Sequence, residues 1–313
     1  MKAYLCSRRY NEGVSLDFTL LQDYFQVFFA VVVEAVPFVV LGSVVSGLLA
    51  VFVRDEWLLR FLPKNVIFGH AVVALLGFFF PVCECGNLPV AKRLVQKGLP
   101  VSQAVTFLLA APVLNPIVIV STLVAFRFAP EVMYARVGLS FLIAVGTGLM
   151  VRFLGKDETL MTESLHEACE HHEHFPRTKR AKFEVFVRTF REEGIEMTKA
   201  LALGGSIAAF TTLLPRELIA GLAQSPLLAI VVMMLLALIM SICSTVDAFV
   251  ALGYVGTFPL SAVLAFLVFG PMIDFRAISL MRTAFRWPVV MTIITTVAFS
   301  VLLASSLASL GGW

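Results

Sequence analysis

Apolar residues come in runs long enough to cross a bilayer, separated by short polar connections and one long polar stretch, Gly155 to Arg191. A spanning helix needs about 20 apolar residues, because a rise of roughly 1.5 Å per residue must cover a hydrocarbon core of about 30 Å. About eight segments qualify: Val27 to Val53, Val66 to Arg93, Val101 to Phe126, Val132 to Val151, Ile195 to Leu214, Pro226 to Tyr254, Leu260 to Arg282 and Val289 to Leu310. The second, third, sixth and seventh are interrupted by proline, glycine or polar residues. The pattern predicts an all-α polytopic membrane protein with broken helices. Its expected organisation is a polar N-terminal segment (1–24), a first four-span repeat (25–154), a His/Glu-rich linker (155–191) and a second four-span repeat (192–313). Residues 1–24 lack the apolar core and small-residue cleavage site of a signal peptide, so they are expected to stay on the mature chain.

The two halves read as copies. One constant offset pairs Glu34 with Glu196 and Leu41-Gly42 with Leu203-Gly204. A slightly shorter one pairs Pro100 with Pro259, Ser102 with Ser261, Pro112 with Pro271 and Asn115 with Asp274. The segments "PVCECGNLP" and "CSTVD" align with a one-residue slip, which pairs Cys83 with Cys243 and Asn87 with Asp247. Matches of proline, glycine and charge carry this reading, since apolar helices match one another by chance. Four crossings per half would give the halves one orientation, and an odd number would invert them. On the four-crossing count, the linker's Lys and Arg residues put both termini and the linker in the cytoplasm. The sequence leaves open whether Asn87 to Lys97 crosses the membrane or lies at its surface.

The breaks carry the candidate chemistry. Pro112 and Pro116 stand near the middle of the third segment, and each removes a backbone donor and clashes with the preceding turn. Backbone groups freed at that depth must be buried in protein or face a wet cavity, because lipid cannot satisfy them. Gly270 and Pro271 offer the same break, followed by Asp274. Interrupted helices at corresponding places in two halves are how a transporter builds a central site. The expected substrate-binding residues are Cys83, Glu84, Cys85, Asn87, Pro112, Asn115, Cys243, Ser244, Asp247 and Asp274. A carboxylate at bilayer depth costs at least about 2.5 kcal/mol, so Glu84, Asp247 and Asp274 need a partner or a task. Asp274 paired with Arg276 is the structural alternative, and proton exchange the functional one.

Composition narrows the class. With 59% hydrophobic and 14% charged residues, the chain has too little polar surface to cover a soluble fold. A net charge of +3 is ordinary for basic loops, and nucleic acid is not an expected partner. Five cysteines are too few and scattered for a disulfide framework. Reduced Cys83 and Cys85 would be soft ligands for thiophilic metals or trivalent metalloids; as a reversible disulfide they would serve redox chemistry. Cys243 reads equally as a small apolar residue. The linker run "HEACEHHEH" offers His166, Cys169, His171, His172 and His174 as metal ligands, without the spacing of a structural zinc site. A solvated linker is the alternative.

"PVCECGNLPVAKRLVQKGLPVSQAVTFLLAAPVLNPIVI" resembles the core of the bacterial predicted-permease family that includes the organoarsenical efflux permease ArsP and YraQ-like permeases. The resemblance implies an eight-span inner-membrane permease with Cys83, Cys85 and Asn115 in its central region. Characterised relatives export trivalent organoarsenicals, and others are linked to divalent metals. The expected function is a secondary-active permease, a proton-coupled exporter of a small thiophilic solute, rather than an enzyme. The alternative is a membrane thiol-disulfide oxidoreductase using Cys83 and Cys85, and a third reading is a channel. No Walker loop occurs and no cofactor is expected. Expected partners are membrane lipid, a metalloid or metal-ion solute, and a second copy or second permease subunit.

Overall fold

The fold is known from a computed structural model that describes residues 65–79, 84–155, 157–170, 179–211 and 225–311, with scattered positions between 22 and 52. Every described position from 40 to 52 is helical, here α1. The chain continues through α2 (Val66–Leu76) with a 3-10 turn at Gly77–Phe79, α3 (Glu84–Gln96), α4 (Val101–Leu114), α5 (Pro116–Ala125) and α6 (Glu131–Arg152). Two short helices, α7 (Asp157–Leu160) and α8 (Glu163–Glu170), lie in the linker, followed by α9 (Lys179–Thr211). The second half holds α10 (Pro226–Met240), α11 (Asp247–Leu252), α12 (Leu260–Phe269), α13 (Phe275–Ala284) and α14 (Trp287–Leu310). Among the described residues there are helices and isolated bridges but no strand.

Among these residues α6 and α14 are each long and apolar enough to cross a membrane alone. The pair α4–α5, bent by 40° at Asn115, makes a third crossing if taken as one span. Pro116 causes the bend, because its missing N–H ends the ladder of α4 and its fixed φ starts α5. Every residue of α4 is buried, as are residues 261–269 of α12. A helix apolar on all sides belongs inside the protein, and these two form the inner layer.

Contacts with the linker fix which helix ends share a face. The Val101 amide at the start of α4 donates to Asp157 Oδ1 at 3.1 Å. At the α13–α14 junction, Thr162 N donates to Ala284 O at 3.0 Å, and Arg286 N to Leu160 O at 3.0 Å. So α4 starts on the linker face, whereas α13 ends there. Relative to that face, α4 and α13 therefore run in opposite directions. From the linker face, the 24 residues of α14 reach the opposite face.

The helices of Val66 to Arg93 both pack on α4. Near the start of α4 and the end of α6, a Cβ on Gly148 would touch Thr106 Oγ1, Ser102 O and the His70 ring, so His70 of α2 lies towards the linker face. Gly77 reaches the middle of α4: a Cβ there would lie 2.5 Å from Ala111 Cα, an approach only glycine permits. The chain then returns as α3, packed on α4 and joined to it by the turn at Lys97–Pro100. The start of α2 and the end of α3 thus lie on one face, a helical hairpin with Asn87 to Lys97 on the returning arm. In the other half, α10 packs along α12, and a Cβ on Gly270 would lie 3.5 Å from Ala237 Cβ. There α11 leads back through a short turn into α12, the same arrangement on the opposite face.

Candidate functional site

Four half-helices begin inside the protein at the breaks: α3, α5, α11 and α13. Each starts beside a polar residue that the sequence supplies. Asn115 caps α5, its Oδ1 accepting from Ile117 N at 2.9 Å, and Asp274 caps α13, its Oδ1 accepting from Ala277 N at 2.5 Å. The two caps do the same work, satisfying amides that lipid could not. The carboxylate also receives Arg276 Nε at 3.1 Å, the structural pairing foreseen for it. Arg276 reaches on to the Ser241 carbonyl, tying α13 to the end of α10.

Ser241 stands in the left-handed region at φ 43°, among the described residues the single non-glycine with positive φ. That conformation costs an L-residue roughly 1–2 kcal/mol and turns the Ser241 carbonyl toward Arg276. It ends α10, after which Cys243 and Ser244 lie buried in the loop leading to α11. Asp247 opens α11 and forms a buried ion pair with Arg136 of α6. Arg136 Nη1 also donates to Thr122 Oγ1 of α5 at 2.7 Å. The pairing is incomplete, since Asp247 Oδ1 and Arg136 Nε make no hydrogen bond. Asn87, in the first turns of α3, donates through Nδ2 to Leu108 O at 3.3 Å, and its Oδ1 is likewise buried without a partner.

Packing crosses the halves in matched pairs. The hairpin arm α3 meets α13, and its counterpart α11 meets α5, while α6 and α14 pack on each other. Of the expected site residues, Pro112 lies buried in α4, Asn115 and Asp274 sit at the two bends, and Asn87, Cys243, Ser244 and Asp247 belong to the hairpins. Cys83 falls outside the described residues, and of Glu84 and Cys85 only the helical backbone is described. Arg136, Thr122 and Ser241 were missed. An arginine within the apolar run Val132 to Val151 was the available signal for the first, since intramembrane charges are costly. Thr122 and Ser241 carry no comparable mark in the sequence.

In the linker, His166 lines a cleft of about 270 Å³ with Glu158, Glu163, Glu167 and Arg286. Cys169 is a half-buried free thiol whose pKa burial raises, which disfavours the metal-binding thiolate. Among the described residues no cluster of three or more such side chains could hold a metal ion. His171, His172 and His174 lie outside those residues.

Against known families, residues 20–310 match the model described as "Predicted permease". The chain belongs to this predicted-permease family. It is 36% identical to the UPF0718 protein YcgR of Bacillus subtilis over 282 residues, 90% of this chain and 95% of that one. A Streptococcus mutans protein, named as a candidate two-component membrane permease complex subunit, is 32% identical over 86% of this chain and 89% of its own. The UPF0718 protein YraQ of Escherichia coli is 29% identical over 39% of this chain and 35% of its own. No solved structure matches. Family and apolar helices together make this a membrane-integral permease-family protein.

Proposed function

We propose that this chain is a secondary-active permease that exports a small thiophilic solute, a trivalent organoarsenical or a soft or borderline metal ion, in exchange for protons. The observation that carries the reading is the packing of α3 on α13 and of α11 on α5, which brings half-helices of the two halves together. Such an arrangement leaves half-helix ends and polar side chains at mid-depth, where a carrier holds its cargo. Two inverted halves (25–154 and 192–313), joined by the linker, give the carrier two related states open to opposite faces. In this layout the eight membrane segments are six crossings and two hairpins, with α1 and α9 the remaining crossings. The reading assigns substrate binding to Cys83, Glu84, Cys85, Asn87, Pro112, Asn115, Cys243, Ser244, Asp247 and Asp274, since thiols with carboxylates suit a soft cation. Lys92, Arg93, Lys97, Arg152, Arg282 and Arg286 favour a cytoplasmic linker face in the inner membrane, with the termini outside. Since one relative is named as a complex subunit, a second permease subunit is the partner to seek.

The test is flux into vesicles containing the purified protein, using zinc, copper and a trivalent aryl arsenical, with and without a pH gradient. The reading expects saturable, gradient-dependent flux of at least one of these, lost in Asp247→Asn. Flux that neither saturates nor responds to the gradient would make the protein a channel. Reversible oxidation of Cys83 and Cys85 without flux would make it an oxidoreductase.

A further inference from the structure

The two halves are built alike, yet their junctions are not held alike. On the face away from the linker, α5, α6 and α11 meet at Thr122, Arg136 and Asp247, and the arginine bridges hydroxyl and carboxylate. These three side chains are nearly wholly buried. The alignment of the halves places Met281 opposite Thr122 and Asn87 opposite Asp247. For Arg136 the buried faces supply the register: Val132, Met133, Arg136, Ser140 and Ala144 correspond to Val289, Val290, Ile293, Val297 and Val301. The counterpart of the triad is therefore Ile293, Met281 and Asn87, at the junction of α3, α13 and α14 near the linker. A methionine, an isoleucine and an amide with an unpartnered Oδ1 stand where the other junction has an ion pair. A small cavity adjoins them, lined by Leu88, Met272 and Met281 among others.

We infer that Arg136, held by Thr122 and Asp247, is the positioning residue that keeps the permeation path closed on the face opposite the linker. The linker-face junction, lacking a charge pair, is the one that parts first. The inference rests on the permease reading and adds to it a gate and a direction of opening. Breaking a buried pair by removing one partner leaves an uncompensated charge, so the triad resists separation unless something replaces the arginine. Its incompleteness supplies the means: Asp247 Oδ1 lies outside the bond to Arg136, so a proton or a cationic solute reaching the carboxylate would compete with the arginine for it. Closing one junction with an ion pair and the other with apolar contacts biases a two-state protein toward one open face.

Sided labelling of the full chain in membrane vesicles tests this. A membrane-impermeant maleimide is applied to one face at a time, and modification at Cys243, four residues before Asp247, is read by mass spectrometry. The native protein is expected to be protected at Cys243 from the face opposite the linker. Arg136→Met and Asp247→Asn should each raise labelling from that face by at least about tenfold. The exchange Arg136→Asp with Asp247→Arg should restore protection, which mere loosening of the fold would not. Should Arg136→Met fail to fold, Thr122→Val removes only the hydroxyl anchor and is expected to raise labelling more modestly from the same face. Protection unchanged in a folded Arg136→Met, or in Thr122→Val where that variant must serve, overturns the inference. If labelling changes as expected while neither zinc nor an aryl arsenical crosses, the closure stands and the permease reading fails.

Discussion

Asn115 and Asp274 each cap the half-helix that follows a break, so replacing each with alanine isolates what the second one does in addition. Asn115→Ala removes the acceptor for Ile117 N and is expected to cost about 1 kcal/mol, within the roughly 0.5–2 kcal/mol range of lost N-caps. Asp274→Ala removes the matching cap on Ala277 N and also strips Arg276, only 2% exposed, of its carboxylate. Breaking a buried pair costs roughly 3–5 kcal/mol, and the surviving bond to Ser241 O favours the lower end. The difference between the variants should be at least about 2 kcal/mol, close to a thirtyfold change in the folded-to-unfolded ratio. Asp274→Asn, which keeps an acceptor but loses the charge, should fall between. Unfolding midpoints of the purified proteins in mixed micelles supply the assay. Asp274→Ala costing no more than Asn115→Ala would refute the idea that Arg276 depends on this carboxylate.

Other expectations follow from single contacts. Ser241→Gly removes the left-handed penalty and should be close to neutral, whereas Ser241→Val, β-branched at φ 43°, should destabilise by about 1–3 kcal/mol in the same unfolding assay. Gly42→Leu should weaken the α1–α3 junction by about 1–3 kcal/mol, because even a Cβ there would lie 2.5 Å from the Gly86 backbone; an unchanged midpoint would contradict the close approach. Burial of Asp157 raises its pKa despite the Val101 amide, so the folded protein holds that proton more tightly than the unfolded chain. Its contribution is therefore fully present below the ordinary carboxylate pKa and declines as pH rises through the raised one. In Asp157→Asn that decline should vanish from a pH series of unfolding midpoints.

Much of the architecture was legible because proline, glycine and Asx residues mark breaks whatever surrounds them. Pro116 and Asn115 located the bend of α4–α5, and Asp274 located the start of α13. The paired offsets between the halves align Asn115 with Asp274, and each caps the half-helix that follows it. Direction was harder to read, because an apolar run of some twenty residues fits a hairpin or a crossing equally well by length. What distinguishes Val66–Gln96 from a span is the fit of Gly77 against Ala111 and the polar returning arm with Lys92 and Arg93, and the first of these is tertiary. Under the proposed hairpin layout each half crosses an odd number of times, which inverts the halves. Arg136 stands in an apolar run that no proline interrupts, and its partner Asp247 lies 111 residues away. No local pattern announces such a pairing.

Sidedness of single engineered cysteines tests the hairpin architecture, on which everything else depends, most directly. With a membrane-impermeant maleimide, Asn65→Cys at the start of α2 and Gln96→Cys at the end of α3 should react from the same face, and Phe128→Cys from the other. Reaction of positions 65 and 96 from opposite faces would make Val66–Gln96 a true crossing and contradict the account.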